Sequence, residues 1–369
     1  MNYMSKDIKN LSQKQRILLE QRLQEKKKQS QLYVTIPKRK SVVAPLLSFE
    51  QQQLWFLDQL YPQSALYNIP MSFRLSGSLD VIALERSLRT IVERHEILRT
   101  TFQFVAGQLV QVIEPQFHLN LVLIDLRTLP NAMREAIVPQ IVSKEATTPF
   151  NLSTGPLIRL RLLLIDENEY IFLLSLNHVI SDGWSTGILF EEIAVLYQAY
   201  LHEEQPTLPE LPIQYADYSI WQRQRLDETR IKTLLAYWTS HLENLPVLQL
   251  PTDYPPSVLA QHVGGTQAFT LTEKLSCQIL QLCNQERVTP FMFFLAVFQV
   301  LLSRYSNQND IAVGIPVANR PSPKLERLIG FLTNTLVLRT KLEGNPPFRQ
   351  LLAQVREIAL NGYTHQDLP

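Results

Sequence analysis

Apolar residues recur along this chain at two spacings, every third or fourth residue in some stretches and every second in others, and the changes of period mark out its elements. From Asn10 to Lys28, Leu11, Ile17, Leu18 and Leu23 stand among Lys, Arg, Gln and Glu, the pattern of an exposed amphipathic helix that ends in Lys26, Lys27 and Lys28. Gln29 to Pro45 has no sustained period and contains two prolines. Residues 1–44 therefore read as a helical leader and linker, either a solvated tail or a docking helix, with the globular part starting near Pro45. Ser48 and Gln51 stand at capping-box spacing ahead of Leu54, Trp55, Leu57 and Leu60, which predicts a helix. A second helix follows Asp80 through Val81, Leu84, Leu88 and Ile91 to about Arg94. Leu98–Val105 and Gln108–Ile113 read as a hairpin around Ala106 and Gly107, and Leu157–Ile165 and Glu169–Asn177 as a second one. After Gly183 the period becomes helical, with Leu189, Ile193, Leu196, Tyr197 and Tyr200.

A long polar and aromatic helix is predicted over Tyr215–Glu243, read as a solvated face that spans the lobes and lying between two proline-rich stretches, Glu203–Pro212 and Pro246–Pro256. The second of these places a lobe boundary, giving an N-terminal lobe at 45–245 and a C-terminal lobe at 246–369. The C-terminal part reads as strand Thr266–Leu271, helices Glu273–Glu286 and Thr289–Tyr305, strands Asp310–Pro316 and Phe331–Thr340, and helix Pro347–Gly362. The mixture in both parts is α/β or α+β.

Composition narrows the function. The chain has 369 residues, of which 45% are hydrophobic, enough for two cores at roughly 100 to 200 residues per domain. A net charge of +1 is too small for a broad basic face, so nucleic acid is not an expected partner. None of the 11 glycines forms a G-x-G-x-x-G or G-x-x-x-x-G-K cradle, which argues against a nucleotide bound at such a loop. Cys277 and Cys283 are read as two buried core thiols of a reducing compartment, and the scattered histidines give no metal set. The polar N-terminus and the short apolar run Phe291–Leu302 suggest a cytoplasmic chain without a membrane span.

The candidate chemistry lies in SLNHVISDGWS, Ser175–Ser185, at a strand-to-helix junction. On strand alternation Tyr170, Phe172, Leu174, Leu176 and His178 share a face. An imidazole at the end of an apolar face is partly desolvated, which favours its neutral form and keeps a nitrogen available as a base; an ordinary buried histidine is the competing reading. Asp182 reads as a helix N-cap or an ion-pair partner. No Ser or Cys with an elbow motif accompanies them, so a covalent acyl-enzyme has little support.

Asn177–Ser185 resembles the HHxxxDG active-site motif of the condensation domains of nonribosomal peptide synthetases. Ser48–Leu60 (SFEQQQLWFLDQL), Arg94–Phe102 (RHEILRTTF), Tyr215–Arg223 (YADYSIWQR), Ile329–Arg339 (IGFLTNTLVLR) and His365–Pro369 (HQDLP) are similar to other signatures of that family, in order, over about 320 residues. The resemblance implies a chloramphenicol acetyltransferase-like fold of two lobes arranged as a V, the second incomplete at Pro369. It implies an acyltransferase that joins a carrier-bound aminoacyl amine to an upstream acyl or peptidyl thioester. The expected partners are upstream and downstream peptidyl carrier domains and an adjacent adenylation domain. No cofactor is expected on this chain, the substrates riding on the carriers' phosphopantetheine.

By the same resemblance His178 is the base or a hydrogen-bonding partner of the tetrahedral intermediate, and Gly183 offers its backbone N–H to the oxyanion. Asp182 is structural and needs an arginine, with Arg99, Arg304 and Arg320 as the candidates. Ser185 belongs to the motif. Asn177 replaces the family's first motif histidine and is expected to act through hydrogen bonds. Asn334 either braces the contact of the lobes or is an ordinary strand-edge amide. Trp55 and Trp221 are expected in the core. Cyclisation and epimerisation domains fit the motifs less well, and a free acyltransferase of the same fold and a degenerate carrier-recruiting domain are the alternatives.

Overall fold

The computed structural model describes residues 36–40, 44–117, 119–254 and 267–369, and the expected leader helix over Asn10–Lys28 lies outside them. The described residues divide into two compact units. The first runs through Gln224 and takes back Arg320–Leu332, and the second holds Arg225–Asn319 and Thr333–Pro369. The expected boundary at 245/246 and the contact boundary at 224/225 bracket one helix, Glu228–Leu242.

In the first unit, α1 (Phe49–Leu60) begins with the capping box read from the sequence. Ser48 Oγ accepts the Gln51 N–H and the Gln51 side chain accepts the Ser48 N–H. Strand β1 (Asn68–Ser76), absent from the sequence reading, precedes α2 (Val81–Arg94), which Asp80 caps through the Ala83 N–H at 2.8 Å. The hairpin of β2 (Thr100–Val105) and β3 (Gln108–Ile113) turns at Ala106 and Gly107, both at positive φ, as a two-residue turn demands. Its first strand starts later than expected because Glu96–Arg99 close a 3-10 turn.

Strand β4 (Leu121–Asp125), helix α3 (Asn131–Thr147), β5 (Ile158–Asp166) and β6 (Glu169–Asn177) complete a four-stranded sheet of order β1-β6-β5-β4, in which only the β4–β5 pair is parallel. Strand β6 is central and covered on both faces. Tyr170, Phe172, Leu174 and Leu176 join the main core with Leu88 and Ile91 of α2 and Leu189 and Leu196 of α4 (Gly183–Leu201), while Ile171 and Leu173 pack with Ile137 and Ile141 of α3. This two-sided burial gives the strand that leads into the candidate site a rigid seat.

Several expectations are corrected. The single solvated helix over Tyr215–Glu243 is two helices, α5 (Tyr215–Arg225) and α6 (Glu228–Leu242), broken where Asp227 caps the second. Helix α5 is not a solvated face: Tyr215, Asp217, Tyr218, Ser219 and Gln222 are buried, and their polar groups are matched by Arg39, Glu50 and Gln111. Within the segment expected as linker, residues 36–40 are docked: Ile36 is fully buried, and Arg39 pairs with Glu96 and Asp217. Cys283 is buried as expected, but Cys277 is exposed.

The second unit packs α8 (Pro290–Ser306), which follows α7 (Glu273–Glu286), and α10 (Phe348–Thr364) on the antiparallel pair β7 (Asp310–Val317) and β8 (Asn334–Lys341). Leu295, Ala296, Leu336, Leu338, Leu352 and Val355 fill that core. The short α9 (Pro323–Glu326) belongs to the first unit. Strand β8 starts three residues later than expected because Phe331–Thr333 are not paired in that sheet, and Gln267–Leu271 form no strand. Among the described residues no single helix is long and apolar enough to cross a membrane.

One glycine is sterically required. At Gly330, φ is +153° and an added Cβ would lie 1.9 Å from the Tyr215 ring. Gly330→Ala should destabilise the first unit by at least about 2 kcal/mol. Urea unfolding followed by tryptophan fluorescence measures this, and an unchanged midpoint would contradict the close approach.

Candidate active site

Strand β6 ends at Asn177, and the next residues, His178–Ile180, close a 3-10 turn before α4 begins at Gly183. His178 therefore stands just beyond the strand, and the turn, not the strand alternation used to place it, directs its side chain. Its backbone N–H donates to the Tyr67 carbonyl at 2.8 Å, holding the turn against the chain entering β1. The ring is partly buried. It packs on Phe331 with centroids 4.8 Å apart and planes at 73°, and its buried Nδ1 has no hydrogen-bond partner among the described residues. Asn177 Oδ1 accepts the Val179 N–H at 2.9 Å, so this amide caps the turn that carries His178.

Asp182 is the hub of the site. It caps α4, its Oδ1 accepting the Ser185 N–H at 2.8 Å and the Ser185 hydroxyl at 2.7 Å. Of the three arginines considered, Arg320 is the partner. Its two terminal nitrogens lie 2.9 and 3.1 Å from the two carboxylate oxygens, and both side chains are almost wholly buried. Arg320 also donates to the Leu325 and Leu328 carbonyls and to Ser185 Oγ. The Ser185 hydroxyl meets both the N–H and the carbonyl of Gly330, at 3.0 and 2.9 Å, and the Leu332 N–H donates to Asp182 Oδ2 at 3.2 Å. Tyr215 closes the group, its hydroxyl lying 2.8 Å from Ser48 Oγ and donating to the Phe331 carbonyl at 2.5 Å. Burial, reinforced by the charge of Glu50, pushes that phenol well above its ordinary value.

The other candidates lie apart from this group. Arg99 donates to the Glu114 carbonyl and Arg304 to Asn345. Asn334 binds the backbone carbonyls of Gln366 and Leu368 at 2.8 and 2.6 Å, which ties the HQDLP segment to β8 within the second unit. Arg94 and His95 hold the buried Glu192 of α4 at 3.2 and 2.8 Å. Trp55 and Trp221 pack against the core as expected. Gly183 has no steric need to be glycine: a Cβ there would meet nothing within 4 Å. Its neighbour Trp184, half exposed, donates to the Glu326 carbonyl. Among the described residues no three His, Cys, Asp or Glu side chains converge as a metal ion would require.

The family model described as Condensation domain matches residues 43–369. The chain belongs to the condensation-domain family. It is 41% identical to chondramide synthase of Chondromyces crocatus over 88% of this chain and 8% of that protein. It is 39% identical to phosphinothricin tripeptide synthetase PhsC of Streptomyces viridochromogenes over 98% of this chain and 33% of that protein. A linear gramicidin synthase of Brevibacillus parabrevis is 50% identical over 88% of this chain and 6% of its own matched polypeptide. The chain thus spans a minor part of the length of the curated relatives it matches. Among solved structures, the X-domain from teicoplanin biosynthesis superposes with a TM-score of 0.79 at 25% identity, covering 91% of this chain and 74% of that one. The mixed α/β, chloramphenicol acetyltransferase-like fold expected from the signatures is shared with such structures, and the chain is a condensation domain of the nonribosomal peptide synthetase type.

Four of the family's sequence signatures therefore meet in one buried polar group: Ser48 from the first, Asp182 and Ser185 from the histidine motif, Tyr215 from the fourth, and Gly330 to Leu332 from the fifth. Burial alone would push the Asp182 carboxyl up, but the hydrogen bonds and charge of Arg320, with those of Ser185, outweigh it and hold the group below the usual carboxylate range. A carboxyl depressed on folding stabilises the native state above its unfolded pKa of about 3.9, and that contribution is lost as the pH falls through the lower folded value. Asp182→Asn should therefore be about 3 to 5 kcal/mol less stable than the parent at pH 7, and the gap should narrow in acid below about pH 4. Unfolding curves over that pH range check it, and a gap independent of pH would contradict an ionised, paired Asp182.

Proposed function

We propose that this chain catalyses amide-bond formation between two carrier-bound substrates, with His178 as the group that handles the proton. The observation that supports it most is the position of His178. The imidazole stands on a tight turn at the end of a strand buried on both faces, beside the first residues of α4, with no serine or cysteine hydrogen-bonded to it among the described residues. Such a site suits a base without a nucleophile of its own. The acceptor's amine adds to the donor's thioester carbonyl, and His178 takes the ammonium proton or hydrogen-bonds to the tetrahedral intermediate. The C–S bond then breaks, leaving the amide on the acceptor and a free thiol on the donor carrier.

In this reading Asp182, Ser185 and Arg320 are structural, Asn177 fixes the turn, and Gly183 leaves room at the start of α4 where its backbone N–H can meet the oxyanion. The partners are upstream and downstream peptidyl carrier domains and a neighbouring adenylation domain. The phosphopantetheine belongs to the carriers, and this chain holds no cofactor. Condensation domains as a class work inside multidomain synthetases, and one solved relative is a four-domain nonribosomal peptide synthetase. A second reading, a recruiting domain without chemistry, is favoured by Asn177 at the first motif position and by the likeness to the teicoplanin X-domain, of which a complex with OxyB has been solved.

Separate carrier domains loaded with an N-acylated and a free amino acid of the proteinogenic set, mixed with the full chain, distinguish the two. Amide formation is expected for the parent and a loss of at least about tenfold for His178→Ala with the melting curve unchanged. Carrier binding without product would favour the recruiting domain. Gly183→Ala should keep or raise stability, since its Cβ meets nothing, and should lower turnover. Parental turnover in that variant would remove the role given to Gly183.

A further inference from the structure

The imidazole that the proposed reaction depends on has a buried Nδ1 with no hydrogen-bond partner among the described residues, so its orientation must come from packing. The packing partner is Phe331, at 4.8 Å and 73°, an edge-to-face geometry that favours one ring orientation over its neighbours. Phe331 is itself held to an unusual degree. On its N-terminal side the N–H and carbonyl of Gly330 both meet Ser185 Oγ. Its own carbonyl accepts the Tyr215 hydroxyl, and on its C-terminal side the Leu332 N–H donates to Asp182. Each backbone bond around Phe331 thus runs to a buried side chain, and two of the three side chains come from the motif that also carries His178. Segment Arg320–Leu332 is anchored in the first unit although the chain on both sides of it belongs to the second.

We infer that Phe331 is a positioning residue for His178, and that the buried Asp182–Arg320–Ser185–Tyr215 group acts on the reaction through it. The inference rests on the reading of His178 given above. In this arrangement the ring, seated by its pinned backbone, keeps the imidazole in the one rotamer that meets the reacting amine. A misplaced base binds substrate as before and turns it over more slowly, so the effect falls on kcat and not on KM.

The test uses the full chain with loaded carriers and histidine labelled with carbon-13 in the ring. Phe331→Leu keeps an apolar side chain but removes the aromatic face. It should lower kcat by at least about fivefold, leave KM for the acceptor carrier within about twofold, and leave the melting curve unchanged. Phe331→Tyr should restore kcat to near the parental value, a rescue that a merely structural loss would not show. The His178 ring resonances, assigned by their disappearance in His178→Ala, should shift in Phe331→Leu and stay in place in Phe331→Tyr. If His178→Ala is inactive while Phe331→Leu turns over like the parent, the reading of the site stands and the positioning role is overturned. If His178→Ala keeps parental turnover, both fall. Unshifted resonances in Phe331→Leu would show that the rings do not touch in solution and would overturn the inference alone.

Discussion

The ion pair of Asp182 and Arg320 is the constraint around which the first unit is arranged, because two charges removed from water must be met on every side or the fold loses several kcal/mol. The pair is bidentate, which is the strongest geometry open to it, and its remaining bonding capacity is taken by Ser185, the Leu332 N–H and two carbonyls of the following segment. Asp182 in turn fixes where α4 begins and therefore where the turn bearing His178 ends. Arg320 fixes where Arg320–Leu332 lies, and through it the seat of Gly330 over Tyr215 and of Phe331 against His178. Breaking such a pair leaves an unmatched buried charge, and this holds the chain to the one arrangement in which Phe331 packs on the His178 ring.

That dependence explains why signatures far apart in sequence meet in one buried group. Ser48 supplies a hydroxyl to Tyr215, Tyr215 supplies one to Phe331, and a glycine is needed at residue 330 because the tyrosine ring occupies the space a Cβ would take. The RHEILRTTF segment serves a parallel purpose farther along α4: Arg94 pairs with the buried Glu192 and a His95 ring nitrogen hydrogen-bonds to it, so the helix that starts at Asp182 is also held along its length. Most polar side chains in these signatures are hydrogen-bonded into the fold. His178 differs, being partly exposed, with no hydrogen bond to its Nδ1 among the described residues, on the turn that this bonded group holds.

Local features were legible in the sequence and long-range ones were not. The capping box at Ser48 and Gln51, the cap at Asp182 and the two hairpins depend on residues a few positions apart, and they stand as read but for the later start of β2. Nothing local singles out Arg320 over Arg99 and Arg304, because the pair spans 138 positions. Helix α5 looked solvated because its polar residues were read one by one, whereas Asp217, Ser219 and Gln222 are buried against partners from distant segments. Strand β1 was missed where Pro70 interrupts its pattern, and α3 where Pro139 does. Phe331 gave no signal of its own role, since it read as one apolar residue in a predicted strand.

The most direct test of this account is a double-mutant cycle on Asp182→Ala and Arg320→Ala, read by urea unfolding through the tryptophans. The account predicts single losses of about 3 to 5 kcal/mol each and a double mutant hardly worse than either, a coupling of at least about 2 kcal/mol. Losses that simply add would contradict it, because the two residues would then stabilise the fold independently and nothing would tie residues 320–332 to the turn that carries His178.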